Sequence, residues 1–208
     1  MKVRVMVVGA LGTNAYVVAD DASGECAVID PGADGGEIAE ALGRDGLTLR
    51  YILATHGHAD HVGGVAELRA RLGGEFAAPD GDRGQIEHPS PQLVTMLTGY
   101  GDPPSIDLPL TGGETFDLGE TRISVVATPG HTPGSLCYLA EGRAVTGDTL
   151  FSGSIGRYDL PGGDGDLELR SIREQLLTLP DETEVLPGHG PASTIGAERA
   201  TNPFLREL

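Results

Sequence analysis

Thr55-His56-Gly57-His58-Ala59-Asp60-His61 follows directly on the apolar run Leu49 to Ala54, and the chemistry of the whole chain turns on this junction. Leu49 to Ala54 has the composition of a buried β-strand. A strand end is rigid, and the turn after it can splay neighbouring side chains into one concave space. Three imidazoles and a carboxylate within six residues would repel and desolvate one another without a cation among them. Ring nitrogens with a carboxylate and no thiolate suit Zn, Fe, Mn or Ni rather than a soft metal. The chain has six histidines. Half of them in one short stretch is not a scatter of solvated loop residues.

Three other strand ends repeat the pattern of apolar run, glycine-containing turn and ligand-type side chain. Val125-Val126-Ala127 leads to Thr128-Pro129-Gly130-His131, Ala144-Val145 leads to Thr146-Gly147-Asp148, and Glu184-Val185-Leu186 leads to Pro187-Gly188-His189-Gly190. Glycine beside each ligand lets backbone come close to a crowded cation. One strand-end histidine is a weak signal, but three such turns beside the cluster are a strong one. His88, in Ile86-Glu87-His88-Pro89, lacks this setting and reads as a surface-loop residue.

Around these turns the chain alternates strands and helices. Val3 to Val8, Ala15 to Ala19 and Cys26 to Ile29 are β-rich runs. Ile38, Ala41 and Leu42 fall at helical spacing before Gly43, which is placed to stop the helix, and Val65, Leu68 and Leu72 do the same before Gly73-Gly74. The stretch Pro79 to Pro109 reads as irregular, with a short helix around Leu93 to Leu97, and suits a lid over a site. Glu114 to Phe116, Thr121 to Ala127, Ser135 to Leu139 and Arg143 to Val145 are strands. Leu169, Ile172, Leu176 and Leu179 make a third helix with Asp166 placed to cap it, and Thr183 to Leu186 is a last strand. Strands followed by helices, twice over, predict two sheets packed together with helices outside.

Composition excludes several classes. The 208 residues suit one domain or two small ones, and 39% hydrophobic content with no Trp, 4 Phe and 5 Tyr predicts an aliphatic core. A formal charge of −17, with Lys2 the one lysine, argues against a nucleic-acid partner. No apolar run is long enough to span a membrane. The N-terminus reads as a strand rather than an export signal, which predicts a cytoplasmic protein. Cys26 and Cys137 lie in apolar runs and read as buried strand thiols.

His-x-His-x-Asp-His, followed in order by His131, Asp148 and His189, resembles the metallo-β-lactamase superfamily over nearly the whole chain. Asn14-Ala15-Tyr16, Asp30-Pro31-Gly32, the run Gly153 to Asp164 and Thr201-Asn202-Pro203-Phe204 resemble its short glyoxalase II-like branch. The resemblance implies an α/β fold, a four-layer αββα sandwich with metals at the sheet ends. It assigns His56, His58 and His131 to one of two divalent ions and Asp60, His61 and His189 to the other, with Asp148 bridging. Zinc is the expected metal, with iron or manganese as alternatives. Two-domain glyoxalase II enzymes add a C-terminal helical domain with basic contacts to glutathione. This chain stops at Leu208, so one domain over residues 1–208 without that addition is expected.

Two metals about 3.5–4 Å apart share a hydroxide and clamp a developing oxyanion. Such a site fits hydrolysis of a small-molecule thioester, S-lactoylglutathione-like by resemblance, because a thiolate leaves without much acid assistance. Asp60 would help orient the hydroxide, and Asp148 would hold both ions. The resemblance points to Arg157, with Tyr158 beside it, as the substrate contact, and a guanidinium suits that role because it grips a carboxylate through two parallel hydrogen bonds. An ion pair of Arg157 with Asp159 or Asp164 is the alternative. The enzyme alternative is a mononuclear-iron persulfide dioxygenase using His56, His131 and Asp148. That branch has a Cys-Gly-Arg-Thr-Asp-like run where this chain has Ile155-Gly156-Arg157-Tyr158-Asp159. An exported β-lactamase fits less well, and a structural metal-binding module would favour cysteine-rich closed sites.

Overall fold

The computed structural model describes residues 1–89 and 101–206. Its amino-terminal sheet runs β1 (Lys2–Val8), β2 (Thr13–Ala19), β3 (Glu25–Ile29), β4 (Thr48–Leu53), β5 (Glu75–Pro79) and β6 (Leu108–Leu110), in that spatial order. β1, β2 and β3 are antiparallel neighbours, while β3 to β6 are parallel. Parallel neighbours need crossovers, and α1 (Gly35–Asp45) and α3 (Val65–Leu72) supply two of them. The carboxy-terminal sheet contains β7 (Thr115–Leu118), β8 (Thr121–Ala127), β9 (Leu136–Ala140), β10 (Arg143–Gly147), β13 (Glu184–Pro187) and β14 (Ser193–Thr194), in the order β14-β13-β10-β9-β8-β7. Between β10 and β13 lie the hairpin of β11 (Leu150–Phe151) with β12 (Ser154–Ile155) and the helix α5 (Gly165–Ser171).

Period-2 alternation builds the layers. From β2 and β3, Tyr16, Val18, Ala27 and Ile29 face the other sheet and meet Leu118, Ile123, Val125, Leu136 and Tyr138. Their neighbours Val17, Cys26 and Val28 face outward and pack with Ile38, Leu42, Val65 and Leu68 of α1 and α3. On the far side Cys137 and Val185 pack with Ile172, Leu176 and Ile195, which opens α6 (Ile195–Thr201). The result is the expected αββα sandwich. Both cysteines are buried in it, as read from their apolar runs.

Several local expectations are corrected. α1 continues through Gly43 to Asp45, because Gly46 takes the left-handed conformation (φ 67°) that ends the helix. Asp164, not Asp166, caps α5: its carboxylate accepts from the Leu167 amide at 3.0 Å. The third helix is not one regular helix either. After Ser171 it widens into a π turn, with the Leu177 amide donating to Ile172 at 2.9 Å. Within Pro79 to Pro109 the chain forms α4 (Arg83–Glu87) and β6. The helix expected around Leu93 to Leu97 lies outside the described residues. Among the described residues no helix is long and apolar enough to cross a membrane.

Candidate metal centre

The carboxyl ends of β4, β8, β10 and β13 all deliver their turns to one rim of the sandwich. His56 Nε2 and His131 Nε2 each stand 3.0 Å from His58 Nδ1. His61 Nε2 is 3.4 Å from Asp148 Oδ1 and 3.6 Å from Asp60 Oδ2. His189 Nε2 is 3.3 Å from Asp60 Oδ2 and 3.7 Å from Asp148 Oδ1, while Asp148 Oδ2 is 3.7 Å from His131 Nε2. α2 (Ala59–Val62) begins within the cluster, so Asp60 and His61 are aimed by helix rather than by loop. All seven residues singled out in the sequence therefore converge, and His88 stays apart, exposed at the end of α4.

The supporting contacts explain why the turns hold. Asp30 is fully buried and accepts from the Thr55 amide (2.7 Å) and hydroxyl (2.7 Å), and its Oδ2 lies 3.0 Å from His61 Nδ1. That contact directs His61 Nε2 inward. Thr55 Oγ1 lies 3.0 Å from His56 Nδ1, and the Arg157 carbonyl accepts from His131 Nδ1 at 2.7 Å. Asn14 and Tyr16 grip the His189 turn: the Asn14 amide side chain donates to the Pro187 and Gly190 carbonyls, and the Tyr16 hydroxyl donates to Pro187 at 2.7 Å. Gly188 must be glycine, since a Cβ there would stand 2.3 Å from Asp148 Oδ1 and 2.7 Å from the His61 ring. Asn14, Tyr16 and Asp30 stand out in the sequence only through the family resemblance. Their partners are far along the chain, and spacing alone carries no signal for them.

Electrostatics divides the imidazoles into two sets. Burial, then neighbouring rings, push His56 well below its ordinary value and His58 down to about 4, and burial lowers His131 too. The direction favours neutral rings, whose lone pairs suit a cation. Burial opposes protonation of His61, but the Asp148 and Asp30 carboxylates outweigh it and raise the ring to about 10. The hydrogen bond with Asp60 raises His189. Burial would raise Asp60, yet His189 and His61 hold it well below the usual carboxylate range.

The residues fit a pair of cations. His61 Nε2 and Asp148 Oδ1 are buried without a hydrogen-bond partner. Buried polar atoms are nearly always satisfied, so two orphans facing one space point to a ligand. The potential ligand atoms form three groups, His56 with His58 and His131, His56 with His61 and Asp148, and Asp60 with His61 and His189, each within 4.8 Å. The set is compatible with a dinuclear site of N and O ligands.

Arg157 reaches the cluster through its backbone carbonyl, and the side chains of Arg157 and Tyr158 are exposed on the loop that follows. The Arg157 guanidinium makes two hydrogen bonds to Asp159, at 2.9 and 3.0 Å. The Tyr158 ring is 46% exposed and lies over Gly165.

A model of the metallo-beta-lactamase superfamily matches residues 8–189. The chain is 35% identical to hydroxyacylglutathione hydrolase GloC of Haemophilus influenzae, covering 99% of this chain and 98% of that protein. Among solved structures it is similar to the BLEG-1 B3 metallo-beta-lactamase, with 38% identity, a TM-score of 0.91, and coverage of 99% of this chain and 100% of that one. It is also similar to TTHA1623 in a di-iron-bound form, with 36% identity, a TM-score of 0.87, and coverage of 97% and 100%.

Proposed function

We propose that this chain, which belongs to the metallo-β-lactamase superfamily, is a dinuclear metal-dependent hydrolase of small thioesters of the S-lactoylglutathione type. The carrying observation is that the two ligand groups flank one carboxylate: Asp148 turns Oδ1 toward His61 and Oδ2 toward His131. His56, His58 and His131 would hold one ion and Asp60, His61 and His189 the other, with Asp148 placed to serve both. Two divalent ions, zinc first with iron or manganese as alternatives, supply Lewis acidity at the acyl oxygen and water with its pKa lowered to about 7.

The chain's own residues supply orientation. Asp60 stays ionised and presents Oδ2, which the Thr13 hydroxyl reaches at 3.4 Å, as an acceptor that orients the attacking water. Asp148 fixes the separation of the two ligand sets. Arg157 and Tyr158 meet the carboxylate-bearing end of the substrate, which requires the Arg157–Asp159 pair to open. The thiolate leaves without a general acid. GloC supports glutathione thioesters in particular, because it is named for that hydrolysis and matches this chain over nearly its full length. In this reading the protein is cytoplasmic and its partner is a small molecule rather than nucleic acid or a membrane, which the formal charge of −17 supports.

Persulfide oxidation at one iron on His56, His131 and Asp148 would leave Asp60, His61 and His189 without a task. The deciding experiment combines metal analysis of the purified protein with three substrates in parallel: S-lactoylglutathione, glutathione persulfide in an oxygen electrode, and a chromogenic β-lactam. About two metals per chain with oxygen-independent thioester cleavage is expected. Asp148→Ala should lose metal and lower kcat/KM by about 10³-fold, consistent with several kcal/mol of lost charge stabilisation, while His88→Ala does neither. One iron with oxygen uptake on persulfide, or β-lactam turnover exceeding thioester turnover, overturns the proposal.

A further inference from the structure

Asp82 lies at the junction of β5 and α4, fully buried, and touches no ligand side chain in its hydrogen bonds. Its carboxylate instead joins two ligand turns. Oδ2 accepts from the Gly57 amide at 2.8 Å, between His56 and His58, and from the Thr132 hydroxyl at 2.7 Å, next to His131. Oδ1 accepts from the Gly134 amide at 2.9 Å in the same His131 turn. The fit is tight on both sides. A Cβ at Gly57 would stand 2.7 Å from the Asp82 Cβ, and one at Gly134 would stand 2.7 Å from its carboxyl carbon. Glycine at both places is thus what lets one carboxylate reach both turns.

We infer that Asp82 is a positioning residue that fixes the spacing between the His56–His58 turn and the His131 turn, and so sets the affinity of that ligand group for its cation. This rests on the dinuclear reading above. The turns come from β4 and β8, in different sheets. Besides Asp82, the Leu136 amide bridges them by donating to the Thr55 carbonyl at 2.8 Å. Asp82 is different in kind because it takes three donors into one planar group, which fixes angle as well as distance. Groups that orient ligands in this way typically govern metal affinity by about 10–100-fold when removed.

The test is a zinc titration of metal-free full-length protein against a competing chelating dye, for the wild type, Asp82→Asn and Thr132→Val. Asn keeps the shape but faces one backbone amide with an NH₂ group. Asp82→Asn should weaken one of two zinc-binding steps by about tenfold and leave the other within about threefold. Thr132→Val, which removes a single donor and serves if Asp82→Asn does not fold, should weaken the same step by about threefold. A merely structural Asp82 would weaken both steps together or neither, and either result overturns the inference. A wild-type protein that binds no zinc overturns the functional reading itself. Two normal wild-type steps with unchanged variants overturn only the role of Asp82.

Discussion

Asp30 and Glu168 are both fully buried close to the imidazole cluster, yet they are opposites in bonding. Asp30 meets the Thr55 amide, the Thr55 hydroxyl and His61, whereas neither oxygen of Glu168 has a partner. Glu168 is carried by α5, which lies so close to the His131 turn that a Cβ on Gly130 would stand 2.3 Å from the Glu168 Cα. Burial raises the Glu168 carboxyl to about 8; the nearby Gly156 amide works against the shift and the Asp148 charge adds to it. A buried acid with donors around it acts as a fixed anchor. One without them keeps its proton and costs stability.

Removing the anchor should have the largest effect. Asp30→Ala leaves the Thr55 amide and His61 Nδ1 buried without partners, at about 1–3 kcal/mol for each orphaned group. The expected outcome is a loss of about 3 kcal/mol in denaturant unfolding and a fall of about 10–100-fold in metal affinity. Unchanged metal content and stability would show that His61 orients itself and that the contrast with Glu168 is empty.

An intermediate case sharpens the contrast, because Arg157 and Asp159 are paired in open water. Their side chains are 61% and 66% exposed, so the pair adds little to stability. Arg157→Ala should leave the unfolding midpoint and metal content unchanged while raising KM about threefold to fivefold for an anionic thioester. A neutral thioester should be affected much less. If the variant loses metal, the Arg157 side chain is holding the loop whose carbonyl receives His131, and is not reading the substrate.

What the sequence made legible follows the range of the interactions. The ligand turns are readable because each is local, an apolar strand with its ligand a few residues on, and the two-sheet sandwich follows from the order of strands and helices. Asp30 to Thr55, Asp82 to Thr132 and Asn14 to Pro187 join residues distant in sequence, and no spacing rule reaches them. Boundary errors have smaller causes. Gly43 looked like a stop but sits within α1, where a glycine costs only about 1 kcal/mol. Asp164 and Asp166 both precede the helix-like run, and only the extended backbone at Asp164 makes it the cap. β6 is three residues of an edge strand, Leu108–Leu110, with Pro109 at its centre, too short for a pattern to show.

The smallest effect on activity belongs to Glu168, and the sign of its effect on stability separates the two kinds of buried acid. In the unfolded chain a Glu releases its proton near 4.5, while the folded protein holds it up to about 8. Its contribution to stability is therefore fully present below 4.5 and is lost as pH rises toward 8, by at most about 1.4 kcal/mol per pH unit. Glu168→Gln keeps the shape and cannot ionise, so it escapes this loss. Denaturant unfolding of the metal-free proteins at pH 5, 7 and 9 should show the variant gaining on the wild type as pH rises, with little change in activity at pH 7. Parallel stability profiles would mean that Glu168 is ionised and paired after all, and that it belongs in the same class as Asp30.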